Sequence, residues 1–209
     1  MKVYTCKMKT SPISEETRTA ILEAAWALML EAKKPDIGQA EIAAKAGVSR
    51  QTIYMAFGNR AGLLTAMVRH VDTGTDHVQR LSAISHAAAA TPEDFRRYLD
   101  IWLDYLPRIY PVAILLEAAA LTDAAAQAAL DDRMKDALLA GFKRMLGLLA
   151  KGGHLAPGLK PDAAAELVWS LVHPAMWRLL VVGCGWQPAE FRRSRLDLVW
   201  KAVLKDDAG

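Results

Sequence analysis

A chain of 209 residues, 53% hydrophobic and 23% charged, carries enough apolar material for a well-buried fold and does not have the composition of a disordered protein. The net charge is only +3, and all of the surplus lies in residues 1–60, which hold nine Lys/Arg against six Asp/Glu. A local basic surface of this kind, not a basic whole, is what nucleic-acid binding requires. Cys6 and Cys184 form no CxxC pair, so zinc-ribbon and dithiol redox motifs are unsupported and a reducing, cytoplasmic setting fits.

Taken in chain order, the pattern is helical throughout. Ser14-Glu15-Glu16 caps a helix whose apolar positions Ile21, Leu22, Ala25, Leu28 and Met29 share one face, and Lys33-Lys34-Pro35-Asp36 stops it. A short helix runs from about Gln39 to Ala46 and ends at Gly47. Ser49 caps a third that reaches Phe57, and Asn59 caps a fourth spanning 59–85. After the linker, Thr91 and Pro92 open a helix carrying Phe95, Leu99, Trp102 and Leu106. Pro107 and Pro111 are expected to break it before a short apolar helix ending near Leu121. A long helix follows from Asp123 to Lys151. Two last helices start at Pro161 and Pro188, and the first of them is expected to kink at His173-Pro174. The expected fold is all-α, with about nine helices. Residues 12–60 form a small N-terminal unit, residues 61–209 a larger helical unit, and helix four joins them.

The informative stretch is Gly38 to Leu64. A helix-turn-helix packs two short helices steeply across a tight turn. That requires a small residue inside the first helix (Ala43), a residue tolerant of positive φ at the turn (Gly47), apolar anchors (Ile42, Val48, Ile53) and polar groups at the start of the second helix. Ser49, Arg50, Gln51 and Thr52 occupy that start. Phe57 is expected in the core beside Ile53, and Tyr54 is expected to face DNA.

On these residues, together with Thr17-Arg18, Ile21-Leu22, Ala24-Ala25, Arg60 and Leu63-Leu64, the sequence resembles the TetR family of transcriptional regulators. The resemblance implies a homodimer, a ligand pocket between the middle helices, and release of operator DNA on ligand binding. It places Arg50, Gln51 and Tyr54 at bases or nearby backbone, and Ser49, Thr52, Tyr54 and Arg60 at phosphates. Gln39, opening the second helix, joins the DNA-facing set. Two departures stand out. Gly38 replaces the usual hydroxyl cap, and Met55 makes the reading surface more apolar, with a thymine methyl as one possible partner.

Five of the six tryptophans lie after residue 100. Trp102, Tyr105, Phe142, Trp169, His173 and Trp177 are the candidates for a small apolar or aromatic effector, with core or dimer packing as the alternative for each. The run from Leu167 to Trp186 is apolar but interrupted by His173, Pro174 and Arg178, so a buried helix is expected and no membrane partner. No GxSxG, HExxH, P-loop or Rossmann pattern is present, so no enzyme, metal or cofactor is expected. The alternative function is a helical adaptor that keeps the DNA-binding fold without using it. The N-terminal charge surplus and the Ser49–Tyr54 surface argue against that.

Overall fold

The computed structural model describes residues 13–32 and 37–205. Cys6 and the stop expected at Lys33–Asp36 lie outside the described residues. Helices make up almost all of what is described: α1 (Glu15–Ala32), α2 (Gln39–Ala46), α3 (Arg50–Phe57), α4 (Arg60–Thr73), α5 (His77–Ser85) and α6 (Pro92–Ala120). Then come α7 (Ala124–Arg133), a π-helical stretch (Met134–Leu139) leading into α8 (Ala140–Lys151), α9 (Pro161–Leu171), α10 (Pro174–Trp177) continuing as a second π stretch (Arg178–Gly183), and α11 (Pro188–Val203). Among the described residues there is no strand, only an isolated bridge between Leu155 and Leu204.

Three elements differ from expectation. Residues 92–120 form one helix despite Pro107 and Pro111. An interior proline costs about 3 kcal/mol, but Leu106, Ile109, Val112 and Leu116 on this stretch are all buried. At roughly 1.5–3 kcal/mol per buried aliphatic side chain, their burial outweighs the two breaks. Pro107 itself is exposed, so the disruption falls on the solvent side. Helix four is two helices rather than one. It ends at Thr73, where the Thr73 hydroxyl donates to the His70 carbonyl (2.7 Å) and the Thr75 hydroxyl to the Asp72 carbonyl (3.3 Å). Side chains thus take over carbonyls of the last turn, and α5 starts afresh. His70 and His77 consequently stand on separate helices.

The third is the expected buried helix at 167–186. The kink expected at His173-Pro174 is a full break: Val172 ends α9 and His173 caps α10, accepting the Ala175 amide at 3.3 Å. Residues 161–183 are long and apolar enough to cross a membrane by length and composition, yet only 28% of that window is buried. Val168, Val172 and Trp177 face inward, while Leu167, Leu179 and Val182 are exposed. The segment is covered on one side and leaves an apolar face on the other.

One apolar cluster runs through the fold, from Ile21 and Met29 on α1 to Val199 and Val203 on α11. Thr91 and Asp94 form a reciprocal capping box at the start of α6. Its backbone and hydroxyl bonds from Thr91, with Arg97 beside it, hold the Asp94 carboxyl down at about 2. α8 packs Phe142, Met145 and Leu149 against the small Ala164 and Ala165 of α9, all fully buried.

Candidate DNA-reading helix and effector cavity

The turn between α2 and α3 is built on Gly47, which has φ 67° and ψ 30°. The Gly47 amide donates to the Ala44 carbonyl (3.3 Å) and the Val48 amide to the Ala43 carbonyl (2.9 Å). These two bonds make a Schellman motif, which satisfies carbonyls left open by the end of α2. Gly38 precedes α2 without any side-chain cap bond. Ser49 caps α3 by accepting the Thr52 amide at 3.0 Å. Ala43, Ile42 and Ile53 are buried and hold the pair of helices to α1. Arg18 of α1 reaches the far end of α3, donating to the Ala56 carbonyl (2.6 Å) and lying 4.6 Å over the Phe57 ring. Phe57 is half-buried against the core. Gly62 brings α4 in close, since a Cβ there would sit 2.2 Å from the Phe57 carbonyl oxygen.

This scaffold presents Ser49, Arg50, Gln51, Tyr54 and Met55 on one exposed surface, with Tyr54 66% and Met55 45% exposed. Thr52 and Gln39 are half-buried at its edge. Arg60 is placed differently. It forms an ion pair with Asp123, whose other carboxylate oxygen caps α7 through the Ala125 amide at 2.9 Å. The first turn of α4 is thereby tied to the first turn of α7.

That tie is one of three between the two helices. Arg69 pairs with Asp132, and Asp72 accepts from Arg133 at 2.8 Å. α4 packs chiefly on α7, and Val68 of α4 shares a small gap with Ile109, Val112 and Leu116 of α6.

The Asp72–Arg133 pair closes the floor of a cavity of about 180 Å³ bounded by α4, α5, α6, the π stretch and α8. Asp72 is fully used, since its other oxygen accepts the Tyr105 hydroxyl at 2.6 Å. His77 stacks on the Tyr105 ring, with centroids 3.6 Å apart and planes 13° from parallel. Its Nε2 lies 3.7 Å from Asp72, but burial lowers its pKa despite the carboxylate, so the contact is not an ion pair at neutral pH. Burial likewise raises the Tyr105 hydroxyl, with Asp72 adding to the effect, and Tyr105 remains a donor. Met134, Ala137 and Leu138 of the π stretch line the apolar wall, and Tyr98 of α6 and Arg144 of α8 also line the cavity.

Of the six expected effector residues, Trp102 and Tyr105 line this cavity. Trp102 is also a structural donor: its indole N–H meets the Val172 carbonyl at 3.0 Å, in the break before Pro174. Phe142 lies one layer behind, edge-on to Tyr98 at 5.5 Å. Trp169 and His173 pack on each other at 5.2 Å, and Trp177 packs on Phe191 at 5.1 Å beside a separate groove. The six do not converge on one space. The residues missed were Asp72, His77, Tyr98, Arg133 and Arg144. Asp72 carried a signal: it follows Leu64 and Val68 at four-residue spacing, an acid on an apolar helix face.

The family model described as bacterial regulatory proteins, tetR family, matches residues 21–67. The HTH-type transcriptional repressor LfrR of Mycolicibacterium smegmatis (strain ATCC 700084 / mc(2)155) is 29% identical over 159 residues, 76% of each chain. At residues 21–67 the chain is thus similar to the TetR-family regulators of transcription. Its fold is also that of SmeT, the repressor of the Stenotrophomonas maltophilia multidrug efflux pump SmeDEF, at 25% identity over 92% of this chain and 94% of that one, with a TM-score of 0.66. The SmeT–triclosan complex superposes with a TM-score of 0.72 at 24% identity over the same shares of the two chains. Proteins of this TetR family are regulators of transcription, not enzymes. Among the described residues no group of three or more His, Cys, Asp or Glu is arranged to hold a metal.

Proposed function

We propose that this TetR-type regulator is a cytoplasmic repressor that binds a palindromic operator as a homodimer and is released when a small apolar or aromatic molecule enters the cavity beneath α5. In this reading residues 12–60 read DNA and residues 61–209 sense ligand and dimerise. The observation that carries it is the position of α4. Its first turn abuts the recognition helix through Gly62, and its last turn supplies Asp72 to the cavity. A ligand that displaces the Asp72–Arg133 pair acts on the same helix that sets the reading head. The exposed face of Leu167, Leu179, Val182 and Leu198 supports self-association, because an apolar patch of this kind usually marks an interface. The SmeT–triclosan complex shows an apolar aromatic compound with a protein of the same fold, consistent with this ligand class.

Arg50 and Gln51 are the base-reading residues, Met55 an apolar contact, and Ser49, Thr52, Tyr54 and Gln39 backbone contacts. Arg60 serves a phosphate only when it leaves Asp123, so DNA and α7 compete for it. The test is fluorescence anisotropy with duplexes from the regulator's own upstream region. Arg50→Ala is expected to cost about 1–3 kcal/mol and relax base preference. Asp123→Asn, which removes the carboxylate charge from the Arg60 ion pair, is expected to strengthen binding to all sequences. Equal, sequence-independent losses from Arg50→Ala and Arg60→Ala overturn the role assignment, and a monomer by light scattering at micromolar concentration overturns the dimer.

A further inference from the structure

The charges around the cavity do not balance. Asp72 is consumed by Arg133 and Tyr105, and Asp132 by Arg69 and Arg133. No carboxylate in the wall is left to meet a cationic ligand. Arg144, an exposed residue at the cavity, has no carboxylate within ion-pair distance among the described residues. Beside it, the Tyr98 hydroxyl has no hydrogen-bond partner among the described residues, although the tyrosine is only 2% exposed. One point above Gly141 lies 2.2 Å from that hydroxyl and 3.8 Å from an Arg144 nitrogen, so the two donors are at most their sum, about 6.0 Å, apart. A single carboxylate can accept from both. Burial pushes the Tyr98 hydroxyl up to about 12, so it stays a donor. Leu81, Trp102, Ile109 and Met134 give the wall its apolar part, beside the neutral polar groups of Ser82, Ser85 and His77. A cavity of about 150 Å³ accepts a benzene ring, and this one is slightly larger, at about 180 Å³.

We infer that the effector is a small carboxylate with a single-ring apolar body, its head bound by Arg144 and the Tyr98 hydroxyl and its body inserted toward Trp102. This rests on the reading of the cavity as the effector site, and the experiment separates the two. Three probes with one apolar body and different heads are titrated calorimetrically into the full chain: 4-tert-butylbenzoate, 4-tert-butylbenzyl alcohol and 4-tert-butylbenzylammonium. Operator release by each is followed in parallel. The benzoate is expected to bind at least tenfold tighter than the ammonium and to release DNA. Arg144→Gln is expected to weaken the benzoate at least tenfold while leaving the alcohol within twofold, and Tyr98→Phe to weaken the benzoate several-fold. Arg144 is exposed, so its variant folds. The ammonium binding as tightly as the benzoate, or an unchanged benzoate affinity in Arg144→Gln, overturns the inference. If the alcohol binds and releases DNA but the benzoate does not, the inference fails and the effector site stands. If none of the three binds, both fail.

Discussion

Trp102 is the residue on which packing and ligand contact are most easily confused, and the structure separates them. It is 4% exposed, and its indole N–H is the donor for the Val172 carbonyl. Trp102→Ala therefore removes a buried aromatic, at a cost of about 3–5 kcal/mol. Trp102→Phe keeps most of the ring volume but leaves the carbonyl without its donor, at about 1–3 kcal/mol. For a chain of this length each kcal/mol lowers the melting temperature by roughly 2–4 °C. The alanine variant is thus expected to melt about 6–20 °C lower and the phenylalanine variant about 2–12 °C lower. Differential scanning calorimetry measures both. Operator binding by the phenylalanine variant, assayed at 20 °C, is expected to be unchanged, since Trp102 touches no part of α3. A phenylalanine variant that melts with the wild type shows that the indole bond contributes nothing, and the argument for a satisfied helix break fails. An alanine variant that keeps full stability removes Trp102 from the core altogether.

Gly62→Ala is expected to lower both stability and operator affinity, because the new Cβ meets a backbone oxygen that cannot yield; a helix stabilised by the usual preference of about 1 kcal/mol for alanine over glycine contradicts this. At Gly141 the obstruction is the Tyr98 hydroxyl, 2.2 Å from the would-be Cβ. Gly141→Ala should be destabilising alone and neutral or stabilising on a Tyr98→Phe background, and additivity in that double-mutant cycle speaks against the clash. Acid should weaken the fold before the carboxylates titrate. Burial holds the pKa of His77 and His173 below the ordinary 6.5, so the unfolded chain takes up protons first and stability falls as pH drops from about 6.5 through the folded values. His77→Gln with His173→Gln is expected to flatten the melting temperature between pH 7 and pH 5, and an unaltered slope points to other groups.

How much was legible in the sequence depended on how local the cause was. The reading helix is governed by short-range rules. Gly47 is needed at positive φ, Ser49 for its cap on Thr52, and Ala43 and Ile53 for close packing, all within fifteen residues, and each was visible as a residue type at a spacing. The Thr91 cap belongs to the same class, whereas at Pro174 the sequence suggested a kink and the structure has a full break. The cavity does not belong to that class. Asp72 and Arg133 are 61 positions apart in sequence and Arg60 and Asp123 are 63 apart, so their pairing exists only once α4 lies on α7. Aromatic residue type suggested six lining residues, but Trp169, His173 and Trp177 follow one another around helices whose inner faces meet different neighbours. The prolines of α6 show the same limit from the other side. Local backbone rules call for a break at Pro107, and tertiary burial of the aliphatic residues around it overrides them. Local chemistry in the sequence thus determined the turn before α3 and the exposed surface of that helix, and long-range packing alone decided where the cavity lies and which charges face it.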